Sequence, residues 1–354
     1  MIKYIGSKRR LVPLLSDLFA RSGASTALDM FSGTTRVAQA FKKQGAHVTA
    51  VDITRYGEIL AGCYVATDSS LVDMDRLAAE VKRLNGLAGS AGYFTETFCH
   101  DARYVQPFNG ERVDAIRDDL EGHREDPLFP VLLTSLMEAT DRVDSTTGVQ
   151  MAYLKNWAPR SHNHLELRVP DLLPGPGAAI RGNAIDLATG LGPFDLAYLD
   201  PPYNQHRYLA NYHVWETLVA WDDPDHYGIA NKRVECREPG SSSPFNRKPL
   251  MPDALRSVIA DVEAHIVVLS YNNESWLDLD ELIDACSGRG HTAALAFESG
   301  RYVGATIGVH NREGRRVGTP GRLRNLEYVL VAGPEDVVED MVTPYSEARV
   351  ERAA

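Results

Sequence analysis

The residues best suited to chemistry form one short run, Asp200-Pro201-Pro202-Tyr203, directly after a predicted strand at 194–199. Two consecutive prolines end the strand and fix the backbone. The Asp200 carboxylate and a neighbouring backbone carbonyl are then held together, so both can accept hydrogen bonds from one amino group. The Tyr203 ring beside them can stack on a flat molecule. The run therefore predicts a site for a planar ring that carries an amino group.

Such a site suits methyl transfer to the amino nitrogen of a nucleic-acid base. The lone pair of that nitrogen is delocalised into the ring, which makes it a poor nucleophile. Two acceptors on its hydrogens favour a pyramidal nitrogen, whose lone pair can attack a methyl sulfonium. The base must first leave the double helix, and an aromatic side chain can hold it once flipped. The same four residues also fit a plain turn with a structural aspartate.

A second candidate site is the turn that follows the predicted strand 27–31 and leads into a predicted helix at 35–44. Small residues around Gly33 let a ligand approach the backbone and the helix N-terminus. Asp52 ends the next predicted strand, 47–52, about 20 residues on, where an acid commonly binds ribose hydroxyls. The G-x-G-x-x-G pattern of nicotinamide and flavin domains is absent from this turn.

The elements that must position these residues alternate between strand and helix. The first two strands and the helix between them form a β-α-β unit, which predicts parallel strands with a right-handed crossover. The later predicted strands cover 194–199, 265–270, 292–297 and 328–331, the last two as an antiparallel hairpin. We therefore predict an α/β fold with a doubly wound sheet. Ligands bind at the carboxyl ends of such strands, where Asp29, Asp52 and Asp200 fall.

One long segment, 68–175, fits the alternation poorly and is predicted to be an inserted helical lobe, with its clearest helices at 71–87 and 130–139. Its position divides the chain into four parts. These are 1–67, the first part of the catalytic domain; 68–175, the lobe; 176–335, the second part of the catalytic domain; and 336–354, a C-terminal tail.

The net charge of −11 argues mildly against nucleic acid as a partner, but DNA meets only the face that it contacts. Basic residues are concentrated in two predicted loops, 222–252 and 310–324. The second loop contains Arg312, Arg315, Arg316, Arg322 and Arg324. Each loop fits either a DNA contact or a solvated surface, and the sequence leaves both readings open. A loop as long as 222–252 is more often functional than idle.

Composition excludes several classes of protein. The four cysteines form no CxxC pair, so we expect no metal site and no disulfide framework. No apolar run approaches the roughly 18 residues of a membrane span, and the N-terminus lacks a signal-peptide core. We therefore expect a cytoplasmic protein that does not contact a membrane.

Four motifs follow one another along the chain: Tyr4-x-Gly6-x-Lys8, Phe31-x-Gly33, Asp52 and Asp200-Pro201-Pro202-Tyr203. Their types and order resemble the Dam-like, or D12, class of DNA adenine N6-methyltransferases, from Met1 to about Val331. The resemblance implies a Rossmann-like methyltransferase sheet, mostly parallel with a C-terminal antiparallel hairpin. It also implies S-adenosylmethionine as cofactor, double-stranded DNA as substrate and a target-recognition role for the inserted lobe.

The resemblance assigns roles to individual residues. Those implied to line the S-adenosylmethionine pocket are Tyr4, Lys8, Asp29, Phe31, Gly33, Asp52, Asn183, Ala184 and Asp200. Those implied in catalysis are Asp200 and the backbone of Pro201, which hold the target amine, together with Pro202 and the stacking ring of Tyr203. Those expected to contact DNA are Arg207, Arg315, Arg316 and Arg322. The chain departs from the family pattern at Asn183, where Asp is common, and at Thr35, where a second glycine is common.

Three alternatives remain open at this point. N4-cytosine methylation uses the same chemistry, although that group more often begins the tetrapeptide with Ser than with Asp. RNA or a protein amide is a further substrate class, the latter more typical of an Asn-starting motif. A nucleic-acid-binding protein that lost the reaction is the non-enzymatic alternative. A cognate restriction endonuclease is an expected partner if the enzyme serves in restriction-modification.

Overall fold

The computed structural model describes residues 2–6, 8–203, 205, 207–238, 241–300 and 324–352. The chain divides into two compact units. The first comprises Met1–Ser16, Ser25–Asp186 and His206–Ser243. The second comprises Asp17–Ala24, Leu187–Gln205 and Pro244–Ala354.

Helices and strands alternate through much of the described chain. The strands are β1 (Thr26–Asp29), β2 (His47–Asp52), β3 (Gly177–Arg181), β4 (Phe194–Leu199), β5 (His226–Tyr227), β6 (Lys232–Arg233), β7 (Ala264–Asn272), β8 (His291–Gly300), β9 (Arg324–Gly333) and β10 (Arg349–Val350). The helices up to residue 150 are α1 (Val12–Ser22), α2 (Arg36–Lys42), α3 (Arg55–Ala61), α4 (Met74–Asn85), α5 (Tyr93–Thr95), α6 (Pro107–Glu121) and α7 (Phe129–Arg142). Those that follow are α8 (Ala184–Leu187), α9 (Tyr208–Asn211), α10 (His213–Ala220), α11 (Met251–Asp261), α12 (Leu279–Cys286) and α13 (Glu335–Val342).

In the first unit, β1, β2 and β3 pair in parallel, so the predicted β-α-β unit is confirmed. Sequence patterning missed β3 because its small residues make no apolar run. Its first residue, Gly177, lies so close to the chain before it that a Cβ there would sit 2.4 Å from the Val65 carbonyl oxygen. The close approach of the two backbones therefore requires glycine at this position. A strand is predicted from sequence by larger apolar or β-branched residues, which cannot fit here.

The segment 68–175 contains helices α4 to α7 and no strand, all of it within the described chain. Leu77, Val81 and Leu84 form the buried stripe of α4, at the three- and four-residue spacing of one helix face. Asp73 caps this helix by accepting a hydrogen bond from the Arg76 amide at 2.9 Å. The stripe belongs to the same hydrophobic core as Trp215 of α10, so the lobe shares its core with later residues of the first unit.

In the second unit, β4 pairs with β7 in parallel, and β7, β9, β8 and β10 follow as antiparallel neighbours. The predicted hairpin of 292–297 with 328–331 is confirmed as the longer pair β8 and β9. The segment 336–354, expected to be a tail, holds most of α13 and the edge strand β10, which pairs with β8.

The predicted α/β class, with parallel strands and a C-terminal antiparallel hairpin, is confirmed. The prediction of one long loop over 222–252 is wrong in detail, because β5 and β6 form a short antiparallel hairpin there. Among the helices in the described ranges, none combines the length and the apolar character needed to cross a membrane.

Candidate active site

The glycine turn after β1 brings together residues that the sequence predicted to act together. Gly33 has a φ of 48°, in the left-handed region that favours glycine. A Cβ at Gly33 would lie 3.2 Å from the Tyr4 ring, so the missing side chain is what lets that ring approach the turn. The Gly33 amide also donates a hydrogen bond to Asp52 Oδ2 at 2.9 Å. Tyr4, Gly33 and Asp52 are therefore direct neighbours.

The Asp52 carboxylate is held in one orientation at the end of β2. Its Oδ1 accepts hydrogen bonds from the Thr54 amide at 2.8 Å and from the Thr54 hydroxyl at 2.6 Å. Burial raises the pKa of Asp52, while the hydrogen bonds from Thr54 and Gly33 act in the opposite direction. Carboxylate oxygens have further acceptor capacity, so these bonds orient the group and still allow it to receive hydroxyl donors.

Two residues that support Asp52 were not predicted from the sequence. Thr54 is the N-cap of α3, where its side chain accepts a hydrogen bond from the Gly57 amide at 3.1 Å. A Cβ at Gly57 would lie 2.5 Å from Asp52 Cγ, so only glycine leaves room for the carboxylate against this helix. The available signal was a threonine two residues after the acid and three residues before a glycine.

The turn after β3 lies beside Asp52. The Gly182 amide donates to the Asp52 carbonyl oxygen at 2.9 Å. Asn183 directly precedes α8. Its Oδ1 accepts a hydrogen bond from the Ile185 amide and its Nδ2 donates one to Asp186 Oδ2, both at 3.2 Å. An amide at this position can thus accept and donate at once, which a carboxylate cannot do. We call Tyr4, Gly33, Asp52 and Asn183 the cofactor cluster, after the role that the sequence predicts for them.

Four other predicted pocket residues lie nearby in the first unit with different surroundings. Asp29 is 1% exposed, and its Oδ2 accepts a hydrogen bond from the Ala38 amide in the first turns of α2 at 3.2 Å. Its position at the end of β1 is as predicted, and it supports the helix that follows the glycine turn. Lys8 and Ala184 are buried and Phe31 is partly buried.

Thr35 occupies the position where the sequence departs from the family glycine pattern. It has a φ of 61° and is fully buried. The left-handed conformation is strained for a β-branched residue, at a cost of roughly 1–2 kcal/mol. The Thr35 hydroxyl accepts a hydrogen bond from Gln39 Nε2 at 2.9 Å, which offsets part of that strain. The backbone therefore takes a conformation typical of glycine although the residue is threonine.

The predicted tetrapeptide Asp200–Tyr203 lies in the second unit at the end of β4, where Leu199 is in register with Leu269 of β7. Pro201 is buried, whereas Asp200, Pro202 and Tyr203 are partly exposed. The Tyr203 ring meets the Tyr271 ring edge to face, with centroids 5.6 Å apart at 62°. Tyr271 is itself fully buried at the end of β7. The tyrosine was missed by sequence analysis because it lies far along the chain.

The residues expected to contact DNA are only partly within the described chain. The Arg207 guanidinium donates to the Cys236 carbonyl oxygen at 3.3 Å and is partly exposed. Arg315, Arg316 and Arg322 lie outside the described residues. The hairpin of β5 and β6 presents Ile229, which is 79% exposed, at its turn.

The chain is similar to known proteins of one family. A family model described as D12 class N6 adenine-specific DNA methyltransferase matches residues 4–282. Type II methyltransferase M.NlaIII of Neisseria lactamica is 28% identical over 298 residues, covering 79% of this chain and 86% of that protein. Modification methylase StsI of Streptococcus sanguinis is 28% identical over 300 residues, covering 79% of this chain. Type II methyltransferase M.CviAII of Paramecium bursaria Chlorella virus 1 is 25% identical over 323 residues, covering 88% of this chain and 95% of that protein.

The coverage differs among the relatives, since the chain spans only 45% of the StsI methylase. The matched range 4–282 includes all four sequence motifs, so the resemblance that they indicated is confirmed. Because that range is well over half of its length, the chain belongs to the D12 class of N6 adenine-specific DNA methyltransferases.

Proposed function

We propose that this chain transfers a methyl group from S-adenosylmethionine to the N6 amino group of a flipped adenine in double-stranded DNA. The observation that carries the proposal is the intact Asp200–Tyr203 tetrapeptide at the end of a parallel strand, with its tyrosine ring set against Tyr271. The membership of the chain in a DNA methyltransferase family supports the same reaction class.

The cofactor cluster suits a nucleoside-based methyl donor. The oriented carboxylate of Asp52 can accept hydrogen bonds from ribose hydroxyls, and Gly33 leaves the backbone open to close approach. Ile53, which sequence analysis missed, is 57% exposed directly after Asp52 and offers an apolar surface for a flat base. The Asn183 amide can both accept from and donate to the edge of such a base. When bound, S-adenosylmethionine would supply an electrophilic methyl group.

The catalytic tetrapeptide would bind and activate the target amine. Asp200 and the backbone carbonyl of Pro201 accept hydrogen bonds from its two hydrogens, which makes the nitrogen lone pair available for attack. As the nitrogen gained the methyl group and the methyl–sulfur bond broke, the nitrogen would become positively charged. The fixed carboxylate would stabilise that charge until the nitrogen lost one proton. Tyr203 stacks on the extrahelical base, and the edge-to-face contact with Tyr271 limits the movement of its ring.

The DNA-binding surface is proposed to include the inserted lobe 68–175 for target recognition, Arg207, the 222–252 segment and the arginines of 310–324. Exposed Ile229 and the basic residues Lys232 and Arg237 support a role for the β5–β6 hairpin in DNA binding.

The relatives include a protein named a modification methylase, which supports a further proposal, that methylation protects DNA from a cognate restriction endonuclease. A cytoplasmic location stays a prediction.

The test is transfer of labelled methyl from S-adenosylmethionine to genomic DNA from a strain that lacks adenine methylation, followed by nucleoside analysis of the digest. N6-methyldeoxyadenosine is the expected product. N4-methylcytosine would overturn the base assignment while keeping the chemistry at an amino nitrogen. Bound donor with no label in DNA would overturn the proposal and favour RNA, a protein amide or a binding protein that does not catalyse.

A further inference from the structure

The N-terminal segment that carries Tyr4 belongs to no strand or α-helix in the described residues 2–6 and 8–10. Its position is therefore not determined by a hydrogen-bonded ladder of its own. Side-chain contacts from elsewhere in the fold must hold it against the glycine turn, since Tyr4 lies within contact of Gly33.

Two later tyrosines supply such contacts. The Ile5 amide donates a hydrogen bond to Tyr212 Oη at 2.6 Å. The Tyr4 ring lies nearly parallel to both later rings. Its centroid is 4.7 Å from that of Tyr212, with 14° between the ring planes. Its centroid is 5.3 Å from that of Tyr208, with 17° between the planes. A Cβ at Gly6 would lie 3.2 Å from Tyr208 Oη, so glycine there makes room for this hydroxyl. Ring and backbone of the segment are thus both held by α9 and the residue that follows it.

The same stretch of chain supports the Asp52 side of the cofactor cluster. Glu216 of α10 is 2% exposed and accepts hydrogen bonds from the Arg55 and Tyr56 amides at 3.1 and 3.3 Å. These are the first amides of α3, which a carboxylate is well suited to satisfy. Arg55 Nη1 completes the contact at 2.9 Å as a salt bridge. Glu216 therefore fixes the start of the helix that packs on Asp52.

We propose that Tyr212, assisted by Tyr208 and Glu216, is a positioning residue for methyl-donor binding: it holds the N-terminal motif in place through the Ile5 amide and the Tyr4 ring. The proposal rests on the proposed function and adds Tyr208, Tyr212 and Glu216 to the residues that serve it.

The decisive variant is Tyr212→Phe, which keeps the stacked ring and removes only the hydroxyl. Loss of one net hydrogen bond predicts a dissociation constant for S-adenosylmethionine about threefold to tenfold higher, measured by calorimetry without DNA. In turnover assays the KM for the donor should rise by the same factor, with kcat at saturating donor and the affinity for DNA unchanged. A general loss of structure would instead move all of these together with the unfolding midpoint.

The matched control is Tyr93→Phe, which removes another hydroxyl of the first unit, one that donates to the Pro224 carbonyl oxygen at 2.6 Å. We expect its donor affinity to stay within about twofold of the wild type, because, among the described residues, the Tyr93 ring contacts Phe98 and its hydroxyl contacts Pro224. Equal donor affinity in Tyr212→Phe and the wild type would overturn the positioning role alone. No donor binding by the wild-type chain would overturn the proposed function and this inference with it.

A second pair of variants tests the contact at Gly6. Gly6→Ala should weaken donor binding, because its Cβ would press on Tyr208 Oη and its φ of 77° is strained for alanine. Adding Tyr208→Phe removes the hydroxyl that is crowded and should restore part of the lost affinity, a non-additive result that a double-mutant cycle measures. Strictly additive losses in the double variant would contradict the proposed packing.

Discussion

The cofactor cluster of the first unit and the proposed catalytic tetrapeptide of the second are held in place in different ways. The cluster is assembled from distant parts of the chain, and hydrogen bonds to its backbone and to Asp52 set its geometry. The tetrapeptide is contiguous, and its backbone is set by two prolines after a buried strand. The first kind of site depends on many supporting residues, whereas the second depends on few. Substitutions should therefore separate donor affinity from turnover.

The largest effect is expected from Asp200→Ala in the tetrapeptide. Removing the fixed acceptor should lower methyl transfer by roughly 10²-fold to 10³-fold or more, because charge stabilisation at the reacting atom is lost. Affinity for S-adenosylmethionine should be largely kept, because the main task proposed for Asp200 is to hold the target amine. Single-turnover transfer and calorimetry measure the two quantities separately.

The matched control for that variant is Asp253→Ala, which removes a carboxylate of the same unit whose side chain is 89% exposed. Its turnover should match the wild type. Near-normal transfer by Asp200→Ala would show that the tetrapeptide is not the catalytic site. The proposed division between donor binding in the cluster and turnover at the tetrapeptide would then be wrong.

Asp52→Asn should produce the opposite pattern in the cofactor cluster. Hydrogen bonds to a charged acceptor are stronger than those to a neutral one, so donor affinity should fall about 10-fold to 100-fold. Turnover at saturating donor should fall far less. Binding titrations at fixed pH, compared with initial rates at saturating donor, would show whether the loss lies in binding.

The pH dependence of donor binding sharpens this prediction. Burial raises the pKa of Asp52, so protonation on acidification occurs at a higher pH than for an ordinary aspartate. Donor affinity should fall as the pH falls through that raised pKa, because the protonated carboxyl loses acceptor capacity, and it should be constant above it. Asp52→Asn should bind weakly with no such dependence. A slope of the same size in that variant would assign the titration to another group.

Tyr271→Ala tests the support of the tetrapeptide, with a smaller expected effect of about tenfold on kcat. Without the edge-to-face contact, Tyr203 is free to move, and loss of positioning lowers the rate of the chemical step. Tyr271→Phe keeps the ring and serves as the control, with a rate close to that of the wild type. Donor affinity should be the same in both variants, so a drop in donor binding by Tyr271→Ala would count against the separation of the two roles.

The contrast also explains what could be predicted from sequence. β2 and β4 were predicted with their observed bounds, since apolar runs that end in Asp52 or before Asp200 are strong local signals. The support of Tyr203 by Tyr271 was not predictable, because it depends on the register of β4 with β7. β3 was missed for a related reason, since its first residue is a glycine required by a neighbouring chain. Reactive residues in a contiguous motif can therefore be predicted from the sequence, whereas the contacts that orient their side chains depend on the fold.

The smallest effect is expected from Gly57→Ala, which leaves every polar group of the cofactor cluster in place and adds one methyl. That methyl would lie 2.5 Å from Asp52 Cγ, so either α3 or the carboxylate must shift. Overpacking of this kind costs roughly 1–3 kcal/mol of unfolding free energy, measurable by denaturant titration. Donor affinity should fall severalfold, because Asp52 moves away from the Gly33 amide. Gly122→Ala is the control, since its Cβ would meet nothing nearer than 3.6 Å. If Gly57→Ala bound donor as the wild type does, the orientation of Asp52 would not be what determines donor affinity, and the cluster would be less dependent on its supports than its geometry indicates.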